Sequence, residues 1–417
     1  MNYIFKLFVS SILEIFIHIF YLFRLLIKSI YFLKTKKYIL SSENQNVEVL
    51  IFKSGTMGDH LICIDCLNKL SKIDNLIKKN IVCKNNSIFP DLKDFASRNN
   101  VELISYKLLI NYFIKNIFKE KITFIIDTEP NFRLGLLFGL IMPRSIISSN
   151  YRTPYDNLFK KLNPNIQFNN YDEDMQEGLY IIRLINNCIN LFLSRSLVNS
   201  NLRKISDADF KKNFLVLKNY DIDLKKLEYH DSFINRINLE NRKLIYLYYG
   251  CSGKAMHRLP PLDWFKRFEK LLIAKYYILY VGGPSEVRLK EFLGEENCSS
   301  YSFINNFTLT DWSMILNYSK YKIPLISFDG GFSHIFGIHS PMIFQVFCSS
   351  NNKKWRNKSD LSFAYSCLEG GSPNYKPFKF KVPKECIISQ NAWLSSKEID
   401  VFQKFDFWFE NIKEGDI

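Results

Sequence analysis

Two rounds of alternating strand-like and helix-like segments dominate this chain of 417 residues. The first round starts with VEVLIFKSG at 47–55 and continues with the strand-like segments NLIKKNIVCK, VELISYK and ITFIIDT. The second starts with KLIYLYYG at 243–250 and continues with YYILYVGG, IPLISFDGG and PMIFQVF. Alternation of this kind is typical of parallel sheets covered by helices on both faces. The sequence therefore predicts an α/β fold with two Rossmann-like, doubly wound domains facing a cleft.

A charged stretch with weak apolar periodicity separates the two rounds. It covers 214–242, and we interpret it as an interdomain linker. The first domain is then expected at 45–213 and the second at 243–390, with a closing amphipathic helix at 391–417. A chain of this length also exceeds what one hydrophobic core usually accommodates, which favours two domains.

The segment 1–40 combines a wide stripe of Phe, Ile and Leu with a few charged side chains. At about 100° per residue, the charged residues within 3–33 fall on one side of a helix, and they are Lys6, Glu14, His18, Arg24 and Lys28. This pattern is typical of an amphipathic helix that lies in the membrane interface. A membrane-spanning helix and a helix docked on the protein itself are the alternatives. We expect peripheral attachment to the cytoplasmic face of the membrane, where the basic run at 34–38 would meet anionic headgroups.

The charge balance and the cysteines restrict the partners and the compartment. With 56 Lys and Arg against 41 Asp and Glu, the formal net charge is +15, which attracts phosphate-bearing partners in general. Because the chain has no aromatic-basic RNA motif and no recognition-helix signature, we do not expect a nucleic-acid partner. Nine scattered cysteines indicate a reducing compartment with mostly buried thiols. Cys63 and Cys66 lie on what resembles the apolar face of a helix, which favours a structural role.

The loop after the first strand of the first domain, Lys53-Ser54-Gly55-Thr56-Met57-Gly58-Asp59, is the first candidate site. Its two glycines allow a tight turn, and the N-terminus of the following helix favours negative charge. Asp59 can cap this helix or act as a general base held at the cleft. The local pattern alone favours capping.

The loop Asp329-Gly330-Gly331-Phe332-Ser333-His334 follows a buried strand of the second domain. An Asp, two glycines and a His at such a strand end form a helix-start loop that can hold a diphosphate or a ribose. The Ser333 and His334 side chains can donate hydrogen bonds to it. Taken alone, His334 fits a core histidine equally well.

Two further loops of the second domain offer polar side chains at strand ends. The stretch 250–261 presents Lys254, His257 and Arg258 to a phosphate, although cations in such a loop are often merely solvated. Glu286 follows Gly282-Gly283-Pro284. Its carboxylate can accept hydrogen bonds from a ribose or a base, or it can lie in the first turn of a helix.

Together, and in this order, these segments resemble glycosyltransferase family 9, the lipopolysaccharide heptosyltransferases, from about residue 47 to about 350. The resemblance rests on five fragments, namely the turn Gly58-Asp59, a strand ending in I-D at Asp127, HRLP at 257–260, G-G-P-x-E at 282–286 and DGGFSH at 329–334. Three positions depart from the family pattern, because His257 replaces a lysine, Leu259 a tryptophan and Gly330 a threonine. These departures concern the diphosphate contacts and the nucleotide preference.

The resemblance implies a GT-B fold and inverting transfer from a nucleotide sugar, which is ADP-heptose for the best-known members, without a cofactor or an obligatory metal. It implies that Asp59 is the catalytic base and that Glu286, Asp329, Gly331 and His334 bind the donor. Gly55, Thr56, Gly58 and Asp127 would form the acceptor side, and the acceptor would be an anionic, lipid-linked saccharide. A sugar-nucleotide epimerase of similar architecture and a degenerate, non-catalytic binding protein are the alternatives.

Overall fold

The fold is described from a computed structural model. The structure describes residues 47–71, 78–84, 89–116, 121–128, 134–142, 144–149, 156–170, 172, 174–194, 203–212, 214–215, 224–237, 242–250, 258–282, 301–304, 307–348, 350–367 and 391–412. The predicted membrane-associating segment at 1–40 lies outside these ranges. Within them, no helix is long and apolar enough to cross a membrane.

The first domain is built on a parallel sheet of six strands. The strands are β1 (Val47–Phe52), β2 (Lys78–Cys83), β3 (Val101–Ser105), β4 (Ile122–Asp127), β5 (Ser145–Ser149) and β6 (Ile166–Phe168). Their order is β3-β2-β1-β4-β5-β6, which is the doubly wound Rossmann order. The order reverses between β1 and β4, so the loops that follow these two strands flank a natural binding position.

The second domain repeats this arrangement. Its strands are β7 (Lys243–Tyr248), β8 (Tyr276–Val281), β9 (Tyr301–Ile304), β10 (Leu325–Phe328), β11 (Ile343–Phe347) and β12 (Phe363–Ser366). They form a parallel sheet in the order β12-β11-β10-β7-β8-β9, with the reversal between β7 and β10. The two parallel, doubly wound sheets confirm the fold class that the sequence predicts.

The strands are buried because helices cover both faces of each sheet. In the first domain the helices are α1 (Met57–Ser71), α2 (Pro90–Arg98), α3 (Leu109–Asn116), α4 (Leu134–Ile141), α5 (Asp156–Leu162), α6 (Glu177–Leu193) and α7 (Asp207–Lys212). Side chains from α1, α2 and α6 pack on one face of the sheet, and side chains from α3, α4 and α5 pack on the other.

The helices of the second domain and the segment that leads into it are α8 (Leu224–Arg236), α9 (Leu262–Ile273), α10 (Leu309–Tyr318), α11 (Phe332–His339), α12 (Asn352–Trp355) and α13 (Glu398–Glu410). Helix α13 lies within the predicted closing segment and packs beside α9, where Arg267 Nη2 lies 2.6 Å from Glu398 Oε1. One hydrophobic cluster includes buried residues of both domains, among them Leu61, Tyr180, Tyr246 and Phe332.

Helix α8 lies inside the stretch that the sequence suggests is a linker. It packs on α10, and its His230 and Ile234 side chains are buried. The Nε2 atom of His230 lies 2.6 Å from the hydroxyl of Tyr246 on β7. The chain between the domains therefore contributes a packed helix, whose narrow buried face explains why the apolar pattern is weak.

Candidate functional site

The loops that follow β1 and β10 meet where the two domains face each other. A Cβ atom built on Gly58 would lie 2.5 Å from Cδ2 of His334. A Cβ atom built on Gly331 would lie 3.2 Å from Cε of Met57. Helices α1 and α11 start from these loops and pack against each other. The structure thus brings together the two strand-end loops that the sequence singles out.

Asp59 is held by its own loop and by a neighbouring lysine. Its Oδ2 accepts hydrogen bonds from the backbone N–H of Thr56 at 2.9 Å and from the Thr56 hydroxyl at 3.2 Å. Its Oδ1 lies 3.4 Å from Nζ of Lys53. Burial raises the pKa of Asp59, but the Lys53 ammonium and the Thr56 N–H together hold this pKa below its usual value. The side chain therefore caps α1 and is ionised at neutral pH, while 16% of it stays exposed.

His60 contacts the backbone of the same turn through both of its ring nitrogens. Its Nδ1 lies 2.7 Å from the carbonyl oxygen of Thr56, and its Nε2 lies 3.3 Å from that of Lys53. Burial lowers the pKa of His60, so the ring is neutral near pH 7. His60 thus fixes the loop shape that places Asp59.

A second set of charged side chains surrounds Lys53. Its Nζ donates a hydrogen bond of 2.5 Å to Oε1 of Glu177, and Nζ of Lys354 lies 3.3 Å from the other carboxylate oxygen of Glu177. The indole ring of Trp355 lies beside both ammonium groups, 5.9 Å from that of Lys53 and 5.2 Å from that of Lys354. No local sequence motif includes Glu177 or Lys354, so neither is predicted as a site residue.

In the second domain, Asp329 and the glycine turn form a compact loop. Oδ2 of Asp329 lies 3.4 Å from Nη1 of Arg258 and accepts a hydrogen bond from the Ser350 hydroxyl. The Ser333 hydroxyl donates to the carbonyl oxygen of Gly330 at 2.7 Å. A Cβ atom on Gly330 would lie 2.3 Å from the carbonyl oxygen of Gly250. A glycine is therefore required where the loops after β7 and β10 touch.

His334 lies between the two loops. Burial lowers its pKa, and the negative charges of Asp59 and Asp329 oppose that shift. The imidazole is therefore neutral near pH 7 and presents one N–H donor and one acceptor nitrogen. Its ring centroid lies 6.5 Å from that of Trp355, in an edge-on arrangement.

Asp127 lies on the other face of the sheet from α1. It is the last residue of β4 and is 1% exposed, and its Oδ2 accepts a hydrogen bond of 3.5 Å from the Ser149 hydroxyl. A Cβ atom on Gly135 of α4 would lie 3.1 Å from Cβ of Asp127. Asp127 therefore lies under α4, on the face of the sheet opposite to α1. Its predicted place on the acceptor side, together with the Gly55 to Gly58 loop, stays a prediction.

Three predicted donor-binding residues, Lys254, His257 and Glu286, lie outside the described residues. Leu259, which replaces the tryptophan of the family pattern, is buried in the core of the second domain. Within the described ranges, no group of three or more His, Cys, Asp or Glu side chains is placed to hold a metal ion. Cys63 and Cys66 are buried in α1 as free thiols.

Several solved structures are similar to this chain. A glycosyl transferase of family 9 from Veillonella parvula superposes with a TM-score of 0.55 at 15% identity, over 90% of this chain and 100% of that one. An ADP-heptose lipopolysaccharide heptosyltransferase II from Escherichia coli gives a TM-score of 0.47 at 12% identity, over 83% and 98% of the two chains. A putative UDP-N-acetylglucosamine 2-epimerase from Listeria monocytogenes gives 0.36 at 12% identity, over 72% and 79%.

No protein-family model matches the chain, and no curated protein sequence matches it either. At 15% identity, the similarity to the Veillonella parvula protein shows a shared fold and nothing more specific. It agrees with the resemblance to glycosyltransferase family 9 that the strand-end motifs indicate. The chain therefore has the GT-B fold, in which two Rossmann-like domains face each other.

Proposed function

We propose that this protein is an inverting glycosyltransferase that moves a sugar from a nucleotide diphosphate to an acceptor hydroxyl. The observation that carries this proposal is the meeting of two strand-end loops. Asp59 from the first domain lies near His334 from the second, since Gly58 contacts the His334 ring. A carboxylate is thus held opposite a loop that suits a phosphate or a ribose, as a two-substrate transfer requires.

The second domain is proposed to hold the donor. Gly330 and Gly331 let the backbone approach a ligand closely, and α11 starts directly after them. The N–H groups at a helix start and the nearby Arg258 guanidinium suit the negative charge of a diphosphate. Asp329 would accept hydrogen bonds from a ribose, and His334 and Ser333 would donate to the phosphates. Lys254, His257 and Glu286 remain proposed donor contacts.

The reaction would proceed as a single displacement at the anomeric carbon. Asp59 would take the proton of the acceptor hydroxyl while its oxygen forms the new glycosidic bond. The bond to the diphosphate would break at the same time, and Arg258 and the start of α11 would stabilise the growing charge on the leaving group. Because the lowered pKa of Asp59 keeps it ionised, it is ready to accept a proton, although it is a weak base.

The family resemblance supports a more specific proposal for the two substrates. The proposed donor is ADP-heptose or a related nucleotide sugar, and the proposed acceptor is an anionic, lipid-linked saccharide at the cytoplasmic face of the membrane. A net charge of +15 suits such an acceptor, and the segment 1–40 would keep the enzyme beside it. Deleting residues 1–35 should release the protein from membranes, whereas a truncated protein that stays in the membrane pellet would refute this role.

Asp59→Asn provides the direct test of the function. With a panel of nucleotide sugars and a lipid-linked acceptor, the variant should transfer sugar at least about 100-fold more slowly than the wild type, as expected for loss of a general base. Nucleotide affinity should be unchanged, because the proposed donor contacts lie in the second domain. Asp207→Asn is the matched control, since Asp207 lies in the first turn of α7 and is exposed.

The same assay separates the alternative functions. Conversion of a nucleotide sugar without an acceptor would indicate an epimerase, and tight nucleotide binding without turnover would indicate a non-catalytic binding protein. An Asp59→Asn variant that transfers sugar at the wild-type rate would show that Asp59 only caps α1. Mass spectrometry of the surface glycolipid in a strain lacking this protein would identify the transferred sugar.

A further inference from the structure

Glu177 lies between two lysines that come from different domains. It begins α6 in the first domain, and its side chain is 5% exposed. One carboxylate oxygen accepts a hydrogen bond of 2.5 Å from Lys53 of the same domain. The other lies 3.3 Å from Nζ of Lys354, which belongs to α12 of the second domain. The buried carboxylate of Glu177 thus links the two domains beside Asp59, the proposed general base.

Lys53 is shared between two carboxylates. Its Nζ lies 2.5 Å from Glu177 and 3.4 Å from Asp59, so the charges alternate from Asp59 through Lys53 and Glu177 to Lys354. Glu177 is thus the closer of the two carboxylate partners of the Lys53 ammonium. Burial of the Lys53 side chain, which is 9% exposed, makes this ammonium dependent on its two carboxylates.

The other groups around Asp59 do not replace these charges. His60 and His334 approach it from α1 and α11, and burial lowers the pKa of both, so they are neutral near pH 7. Burial and the nearby Lys53 charge lower the pKa of Lys354 to about 7. Among the described neighbours of Asp59, Lys53 is therefore the one that stays fully charged, since its pKa lies well above the usual value.

We propose that Glu177 is a positioning residue for Asp59, because it holds the Lys53 ammonium that both carboxylates share. The inference rests on the proposed function, in which Asp59 is the general base. By drawing Lys53 towards itself, Glu177 leaves Asp59 ionised but only loosely paired, so that its exposed edge can accept a proton. Because Glu177 also contacts Lys354, the arrangement is complete only when the second domain packs against the first.

A double-mutant cycle in urea tests whether the two carboxylates share Lys53, and it does not require turnover. Asp59→Asn or Glu177→Gln alone leaves Lys53 with one carboxylate, whereas the double variant removes both from a buried ammonium. The fold increase in the unfolding equilibrium constant of the double variant should exceed the product of the fold increases of the two single variants by at least about fivefold. The control cycle combines Asp59→Asn with Asp174→Asn, because Asp174 pairs with Lys353 across the domains at an exposed site. Its effects should multiply.

Transfer kinetics test the positioning role. Glu177→Gln should lower kcat by about tenfold or more, as small misplacements in active sites do, and should leave nucleotide affinity unchanged. Glu177→Asp should recover part of kcat because it keeps the charge. Adding Lys354→Met to Glu177→Gln removes the buried amino group that has lost its carboxylate partner, so thermal stability should recover while kcat stays low.

The negative results distinguish the proposed function from the positioning role of Glu177. A wild-type protein that transfers no sugar overturns the proposed function, and the urea cycle still decides whether Asp59 and Glu177 share Lys53. Independent effects in that cycle overturn the inference. Recovery of kcat together with stability in the Glu177→Gln/Lys354→Met variant also overturns it, because Glu177 would then act only through the domain contact.

Discussion

The position of Asp59 is compatible with both roles that the sequence presents as alternatives, the helix cap that it forms and the general base that we propose. Its Oδ2 satisfies the N–H and hydroxyl of Thr56 at the start of α1, and its Oδ1 faces Lys53. A cap of this kind holds the carboxylate in one orientation. It leaves the charge in place, because both partners favour the ionised form. Capping and base catalysis are therefore compatible, and the two functions share one side-chain position.

The pH range in which Asp59 ionises should shift upwards when Lys53 is replaced. Because the Lys53 ammonium lowers the pKa of Asp59, Lys53→Met should raise that pKa. An aspartate base works above its pKa, so the acid limb of kcat/KM should shift to higher pH in the variant. The stability that the ionised Asp59 contributes is lost as pH falls through its folded-state pKa, and this loss should also begin at higher pH. An acid limb that stays in place would contradict the contact between Lys53 and Asp59.

The residues that the sequence could identify are those that lie near strand ends in local motifs. Asp59, Asp329 and His334 lie in the loops and first helical turns that follow β1 and β10, and the structure brings these segments together. Glu177 and Lys354 could not be found this way. Glu177 is separated from Lys53 by 124 positions, and the local pattern around each is that of an ordinary helix start. Their role depends on the approach of two domains, which a local pattern does not encode.

At the scale of elements, the site depends on the close packing of α1 and α11. Each helix begins after a strand at the reversal point of its sheet, and each presents a glycine in its first turn or cap. Gly58 contacts the ring of His334, and Gly331 contacts the flexible end of Met57. The glycines therefore set how closely the two helix starts, and with them the two domains, can approach.

Gly58→Ala and Gly331→Ala should differ in their effect on stability. The new Cβ at Gly58 would lie 2.5 Å from the His334 ring, which is buried and must move, whereas that at Gly331 would lie 3.2 Å from a methionine methyl group. Overpacking costs about 1–3 kcal/mol, and better helix propensity offsets about 1 kcal/mol of it. We expect thermal unfolding to show a clear loss for Gly58→Ala and little change for Gly331→Ala, whose φ of −63° suits alanine. Equal stability of the two variants would contradict the close approach.

The sequence predicts eight of the twelve described strands, because these segments read as clear apolar runs between helix-length stretches, and they are β1 to β4, β7, β8, β10 and β11. Strands β1, β4 and β8, for example, are buried on both faces and read as short apolar runs. Helix α8 lacks such a clear apolar pattern, since only His230 and Ile234 are buried along it. Its exposed charges outweigh this narrow face, so the segment resembles a linker. Asp127 shows another limit of the sequence pattern, because a strand end gives the position of a residue but not the face of the sheet on which its side chain lies.

At the scale of the whole molecule, apolar packing and buried charges together hold the domains against each other. One hydrophobic cluster contains residues of α1 and α6 as well as residues of α10 and α11. Beside it, Nζ of Lys358 in the second domain lies 2.7 Å from Oδ2 of Asp65 on α1. Nζ of Lys69, also on α1, lies 3.3 Å from the other oxygen of Asp65. All three side chains are 6% exposed or less, so Asp65 compensates two buried cations at the interface.

Asp65→Asn should therefore destabilise the protein strongly at neutral pH. Removing one partner of a buried ion pair costs about 3–5 kcal/mol, whereas Asp174→Asn at the exposed pair with Lys353 should cost less than about 1 kcal/mol. Urea unfolding at pH 7 measures both. Burial lowers the pKa of Lys358 to about 8, so this lysine sheds its proton as pH rises, and the loss in Asp65→Asn should be smaller at pH 9 than at pH 7. An equal loss at both pH values would show that altered packing, and not the uncompensated charge of Lys358, weakens the contact between the domains.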